Sequence, residues 1–218
     1  MFKIGKAIKI LKPRISPTVE YNKMNLRSIE DEDTFAEMSV SFDKIEYEKA
    51  EHVRITGSLF RNVEMNDVVF ESLDLVDVRF ENCDLSGCKF TNSRIDRVEF
   101  VNCKMMGFML SDSTLKDVFF KNCKSDYAVF GFTEIRNTLF EDTYLVNSNF
   151  QSAKLMRTYF EDCELQNSQM SGAKLNGIDF RSCNIESVGV RPEDLSGVVV
   201  NPVQAVDFAR LLGLVIKP

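Results

Sequence analysis

The chain of 218 residues has no tryptophan, one histidine, five prolines and no long uninterrupted apolar run. Each scarcity excludes something. Without a long apolar stretch there is no helical membrane span, and no membrane partner is expected. The opening Met1-Phe2-Lys3-Ile4-Gly5-Lys6 interleaves charge with short apolar pieces and has no signal-peptide core, so a cytoplasmic location is expected. A single histidine, His52, leaves little material for a histidine-based triad or a multi-histidine metal centre. The net charge of −6 lacks the basic excess of a nucleic-acid-binding surface, so no direct nucleic-acid binding is expected. What is present is a 44% apolar share with 18 phenylalanines and six cysteines, enough for a sizeable core in one domain.

Those apolar residues follow a five-residue register. At every position divisible by five from Ile55 to Val200, 29 of 30 residues are apolar, Ser125 being the exception. Two residues earlier, from Val53 to Val198, 26 of 30 are Ala, Cys, Ser, Thr or Val; Leu73, Phe108, Ile178 and Glu193 depart. Two residues later, from Gly57 to Gly197, 24 of 29 are Gly, Asn, Asp or Ser, which tolerate positive φ. A helix requires period 3.6 and a half-buried strand period 2, so neither fits. A large inward residue every five with a turn former after it describes a short extended segment, then a corner.

A period of twenty lies beneath. Phe recurs in tens from Phe60 to Phe100 and from Phe120 to Phe160, then at Phe180, with Leu, Ile or Met at most centres between. The small site runs Val63, Cys83, Cys103, Cys123, Thr143, Cys163, Cys183, and the residue before it Asn62, Asn82, Asn102, Asn122, Asp142, Asp162, Ser182. Twenty residues are four pentapeptides, so the coil has four faces and like residues stack, the asparagines as a hydrogen-bonding ladder.

These residues, for example Phe80-Glu81-Asn82-Cys83-Asp84-Leu85-Ser86-Gly87-Cys88-Lys89-Phe90 and Ser152-Ala153-Lys154-Leu155, resemble the pentapeptide-repeat family over residues 53–200. The resemblance implies an all-β solenoid, a right-handed quadrilateral β-helix of pentapeptide repeats with a short C-terminal capping helix. At about 4.8 Å per stacked strand the rod is ~35 Å long. The expected organisation is a non-repeat arm over 1–34, an irregular first coil or cap over 35–52, the β-helix over 53–200, and a helix and tail over 201–218. Lys3–Pro17 reads as a basic, partly extended arm, with Pro13 and Pro17 opposing helix. At the other end Asn201 fits an N-cap, Pro202 the first helical position and Gly213 the C-cap. Val206, Phe208, Leu211 and Leu212 give that helix more than one apolar face, which reads either as a cap alone or as a cap plus a dimer contact. Leu212-Gly213-Leu214-Val215-Ile216 looks like the tail of Qnr-type members, which implies a homodimer joined through this end.

Candidate chemistry is sparse. The cysteines Cys83, Cys88, Cys103, Cys123, Cys163 and Cys183 share the small inward register and have no CxxC spacing, which reads as core packing rather than disulfides or a metal cluster. His52 has no nucleophile elbow, phosphate loop or second histidine beside it. The pairs Glu141/Asp142 and Glu161/Asp162 read as a corner residue with an exposed neighbour. A coil this narrow has no cavity for a substrate, so no catalytic residue, cofactor or metal is expected, and the chain reads as a non-enzyme.

The outer surface is left. Residues 51–200 carry 16 basic and 23 acidic groups, so the acidity lies on the rod. It concentrates in Glu64, Asp67, Glu71, Asp74, Asp77, Glu81 and Asp84, with a second group at Asp126, Glu134, Glu141 and Asp142. The resemblance to Qnr-type members implies a DNA mimic that binds DNA gyrase or topoisomerase IV, inhibiting it or protecting it from quinolones, through such acidic residues. A net −7 is about a third of the charge of a comparable length of duplex, at one charge per ~1.7 Å, so the carboxylates must share one side of the rod. The alternative is a protein-interaction scaffold using an apolar stripe of Phe119, Leu139 and Tyr159, with Tyr127 and Phe132 at corners nearby.

Overall fold

In the computed structural model, which describes residues 9–17, 19, 29–211 and 213–217, every fifth residue from Glu32 through Gly177 has a φ between +49° and +79°. These are the corners. Each links two short extended segments, and the corner N–H donates to a carbonyl of the next coil, as Asn62 N does to Glu81 O at 3.0 Å and Asn122 N to Glu141 O at 3.0 Å. Asn, Asp, Gly and Ser fill most corners because left-handed backbone costs other L-residues roughly 1–2 kcal/mol.

Strands β1 (Thr34–Ala36), β2 (Ser39–Ser41), β3 (Lys44–Glu46) and β4 (Lys49–Glu51) form the first coil. The second holds β5 (Arg54–Thr56), β6 (Leu59–Arg61), β7 (Glu64–Asn66) and β8 (Val69–Glu71). Then follow β9 (Asp74–Glu81), β10 (Lys89–Thr91), β11 (Arg94–Val101), β12 (Thr114–Lys121), β13 (Glu134–Glu141) and β14 (Lys154–Glu161). All pairs are parallel and shifted by twenty residues: Phe35↔Ile55, Ile55↔Leu75, Ile95↔Leu115, Ile135↔Leu155. The longest sheet runs β1-β5-β9-β11-β12-β13-β14. Single bridges such as Lys104↔Lys124 and Val129↔Asn149 carry the same register along the two remaining faces. The chain is therefore an all-β solenoid, a quadrilateral β-helix, ending in one short helix.

The core fills the tube. Phe60, Phe80, Phe100, Phe120, Phe140, Phe160 and Phe180 form a column with successive centroids 4.6–5.6 Å apart. Burying one such ring contributes roughly 1.5–3 kcal/mol, so this column and the apolar centres on the other faces dominate stability. Phe70–Phe90 and Phe130–Phe150 form partial columns on the opposite face, interrupted at Leu110. There Phe108, large at a small site, sets its ring edge-on to Phe90 and Phe100, at 5.1 and 6.1 Å.

Two sequence expectations change. Residues 34–51 are a regular coil, β1–β4, and not an irregular one. The corners Glu37, Phe42, Tyr47 and His52 are poor turn formers, yet all take positive φ because their N–H groups bond to the second coil, as Glu37 N to Thr56 O at 2.9 Å. Near the far end the repeat gives way to a 3-10 helix, Pro192–Leu195, where Pro192 replaces a corner residue. Asp194 fastens it, accepting from Gly172 N at 2.9 Å and pairing with Arg191 at 2.7 Å.

The C-terminal helix α1 (Pro202–Leu211) begins as the sequence predicts. Asn201 Oδ1 accepts from Val203 N and Gln204 N, and Gln204 Oε1 accepts from Asn201 N. The residue that seals the last coil is polar, however. Gln204 is 7% exposed, and its Nε2 donates to Phe180 O at 2.8 Å and Cys183 O at 2.9 Å. Phe208 packs half-buried on the core, so it belongs to the cap and not to a spare face. Gly213 follows with φ +76° and donates to Arg210 O. Leu212, residues 1–8 and most of 18–28 of the arm lie outside the described residues.

Candidate interaction surface

With the interior filled by side chains, chemistry is confined to the outside. The six cysteines are buried free thiols. Each donates to backbone carbonyls, as Cys123 Sγ does to Phe100 O at 3.3 Å and Cys88 Sγ to Met65 O at 3.3 Å. Burial pushes the Cys88 thiol up to about 12, away from nucleophilic use. His52 sits at an exposed corner with φ +57°. Among the described residues no group of three or more His, Cys, Asp or Glu is placed to hold a metal.

The first acidic group does not form a stripe. Glu64 and Asp84 are bridged one coil apart, so the seven residues between and including them encircle the rod once. Arginines one coil away, and Arg79 on the same strand as Glu81, neutralise much of this ring. Asp74 pairs with Arg54 at 3.1 Å and Arg94 at 3.2 Å, Asp77 with Arg97 at 2.6 Å, and Glu81 with Arg61 at 3.3 Å and Arg79 at 3.6 Å. Asp84 faces Lys104 at 3.6 Å. Glu64, Asp67 and Glu71 have no ion pair among the described residues. Burial works against ionisation of Asp77, but Arg97 and the Arg14 backbone N–H outweigh it and hold that carboxyl below its usual range.

The second group is dispersed. Asp126 accepts from Val146 N at 3.0 Å on one face, while Glu134 pairs with Arg136 on another. Glu141 and Asp142 gain companions instead. Glu141 pairs in register with Glu161, and Asp142 N donates to Glu161 O, so Glu141, Asp142, Glu161 and Asp162 form one acidic edge. Lys121 binds Glu141 from below at 2.5 Å, while Glu161 has no cation among the described residues. Burial, then Glu141 and Asp162, raise the Glu161 carboxyl above its usual range. The repeated Glu-Asp pair at twenty-residue spacing is the sequence signal for this edge.

The apolar residues divide into two surfaces. Phe119, Leu139 and Tyr159 are register neighbours on β12, β13 and β14, half-buried and facing outward. Tyr127 and Phe132 are not beside them. They occupy consecutive corners on the opposite side, 58% and 64% exposed, flanking Val129 and Gly131. Both hold positive φ, +61° and +57°, so each combines left-handed backbone with exposed aromatic surface. Inter-coil hydrogen bonds impose that backbone, Tyr127 N donating to Val146 O and Phe132 N to Gln151 O, both at 2.9 Å. Phe42 and Tyr47, which sequence reading passed over, show the same combination at 83% and 71% exposure.

The tiling of corner, small site and large centre at twenty residues per coil is matched by the sequence family described as the pentapeptide repeat region, over residues 53–130 and, overlapping, 73–150. Residues 53–150 are a pentapeptide-repeat region. No curated protein matches the chain's sequence. Among solved structures, the chain is similar to full-length QnrB1, a plasmid-mediated fluoroquinolone resistance protein, at 18% identity over 81% of this chain and 100% of that one, TM-score 0.42. It is also similar to HetL, a pentapeptide repeat protein involved in heterocyst differentiation regulation from the cyanobacterium Nostoc, at 10% identity over 78% and 87% of the two chains, TM-score 0.41. A pentapeptide repeat protein of the Arabidopsis thaliana thylakoid lumen shows 17% identity over 59% and 75%, TM-score 0.26.

Two further features of the chain bear on partners. The Asn ladder is present from Asn82 to Asn122, with Asn102 Nδ2 donating to Asn82 Oδ1 at 3.1 Å and Asn122 Nδ2 to Asn102 Oδ1 at 2.9 Å. At the C-terminal end Val203, Val206, Leu211, Leu214, Val215 and Ile216 are exposed. No helix among the described residues is long and apolar enough to cross a membrane.

Proposed function

We propose that this chain is a non-enzymatic, DNA-mimicking protein that binds a type II topoisomerase, DNA gyrase or topoisomerase IV, and so inhibits it or protects it from quinolones. The observation that carries the reading is the acidic edge of Glu141, Asp142, Glu161 and Asp162, which stacks carboxylates along the rod axis at the coil spacing. A saddle built to neutralise phosphates attracts such an edge. Glu64, Asp67 and Glu71 add unpaired charge toward the first coil, whereas Asp74, Asp77 and Glu81 are spent on arginines. The protein acts in the cytoplasm as a homodimer through the apolar C-terminal end, with Val206 and Leu211 in the contact. A supercoiling assay with purified gyrase, with and without a quinolone, tests the reading. Inhibition or protection at micromolar dimer is expected; no effect in either arm overturns it.

A second reading is favoured by the strained, exposed aromatics. As an interaction scaffold the rod would hold a partner protein on Phe119, Leu139 and Tyr159 or on the Tyr127–Phe132 face. Replacing Phe119 and Tyr159 with Ser then abolishes binding of a partner while the coil persists.

A further inference from the structure

The N-terminal arm is docked on the rod, along one corner. That corner is the column Asp77, Arg97, Asp117, Asn137, each residue one coil after the last, where β9, β11, β12 and β13 bend from one face to the next. Leu11 N donates to Asp117 Oδ1 at 3.1 Å, Arg14 N donates to Asp77 Oδ1 at 3.0 Å, and Lys9 O accepts from Asn137 Nδ2 at 3.1 Å. The arm therefore runs along the axis against the direction in which the solenoid grows.

The spacing matches a ruler. Asp77 and Asp117 stand two coils apart, about 9.6 Å at the spacing of stacked strands. Leu11 and Arg14 are three residues apart, about 10 Å in extended chain. Alternate rungs thus present carboxylates at the interval at which an extended segment presents every third N–H. The intervening rung, Arg97, is held against the rod by Asp77 and Asp96. With the arm in place Asp117 is 3% exposed and the Asp77 side chain 15%.

The occupant is distinctive too. Residues 9–17 carry Lys9, Lys12 and Arg14 and no acidic group. Ile10, Pro13 and Ile15 are half-buried, while Lys9, Lys12 and Arg14 are exposed. Its recognised groups are backbone N–H and C=O, so the contact reads extension more than side-chain identity, and the Arg14 charge near Asp77 adds a preference for a cationic segment.

We propose that the Asp77–Asp117 corner is a docking groove for an extended, cationic peptide segment, and that residues 9–14 are its tethered occupant, a strap that a partner's segment of the same chemistry displaces. The groove is a second interaction surface, separate from the acidic edge and independent of any topoisomerase.

The test uses the full chain and a variant, Leu11→Pro with Arg14→Pro, which removes the two backbone donors and leaves every residue of the rod in place. A fluorescein-labelled peptide of residues 9–17 is titrated into both proteins, and hydrogen exchange is followed across residues 9–17. The wild-type arm is expected to exchange slowly and the variant arm at unstructured rates. The variant should bind the labelled peptide about tenfold or more tightly than wild type, because its groove is free of the tethered competitor. Peptide binding to neither protein, with the wild-type arm protected, makes the arm a fixed part of the fold and overturns the proposal. So does a wild-type arm that exchanges as freely as the variant's, or protection that is lost on dilution, which would place a second copy's arm in the groove.

Discussion

Glu141 and Glu161 lie on adjacent rungs of one parallel ladder, and the only cation bound to either is Lys121, beneath Glu141, among the described residues. Like charges opposed across strands are destabilising by a few tenths to about 1 kcal/mol. Because the Glu161 carboxyl titrates above its usual range in the folded protein, the folded state binds more protons there than the unfolded chain. Stability therefore falls as pH rises through that range. Glu161→Gln should be more stable than wild type at pH 7 by about 0.5 kcal/mol and lose this part of the pH dependence, measured by urea unfolding between pH 4 and 7.

Asp194 has the opposite sign. Its partners Arg191 and Gly172 N hold the carboxyl down at about 2. Its contribution is present above the ordinary aspartate range and is lost as pH falls toward 2. Asp194→Asn removes charge-assisted bonds that fasten the 3-10 helix to the preceding coil, and should cost about 1–3 kcal/mol at pH 7 and progressively less below pH 4. Thermal unfolding at both pH values checks this.

Gln204 closes the last coil by satisfying two buried carbonyls that no further coil can reach. Gln204→Ala strands Phe180 O and Cys183 O and removes half of a reciprocal cap, so a loss of about 1–3 kcal/mol is expected. Circular dichroism should show the helix signal fading before the β signal on heating, whereas wild type is expected to lose both together.

Phe132 takes φ +57° with its ring 64% exposed. Phe132→Asn keeps the corner N–H bond to Gln151 O and relieves left-handed strain, so a gain of about 1 kcal/mol in urea unfolding is expected.

The repeat was legible because three independent registers coincide: apolar at Phe80 or Phe100, small at Cys83 or Cys103, turn-forming at Asn82 or Asn102. Where one register lapses, sequence reading loses the coil, as at Phe42 and Tyr47, although inter-coil hydrogen bonds still impose the corner. Gln204 escaped because an apolar pattern is blind to a polar cap; its place three residues after Asn201 was the available signal. The pairing of Asp74 with Arg54 and Arg94, and of Asp77 with Arg97, was written in the twenty-residue spacing, and it removes from the surface part of the acidity that composition suggested. The arm's place was not written in any periodicity, since two backbone donors meeting Asp77 and Asp117 leave no residue pattern in the arm.

The central claim is that the acidic edge enters a DNA-binding saddle. Displacement of labelled duplex from gyrase tests it most directly, comparing wild type with a variant carrying Glu141→Gln, Asp142→Asn, Glu161→Gln and Asp162→Asn. Asn suits the two corner positions, so the coil is retained. Wild type should displace the duplex at micromolar dimer, less so at high salt, and the variant should require about tenfold more protein. Failure of wild type to displace DNA, or equal displacement by both proteins, contradicts the account.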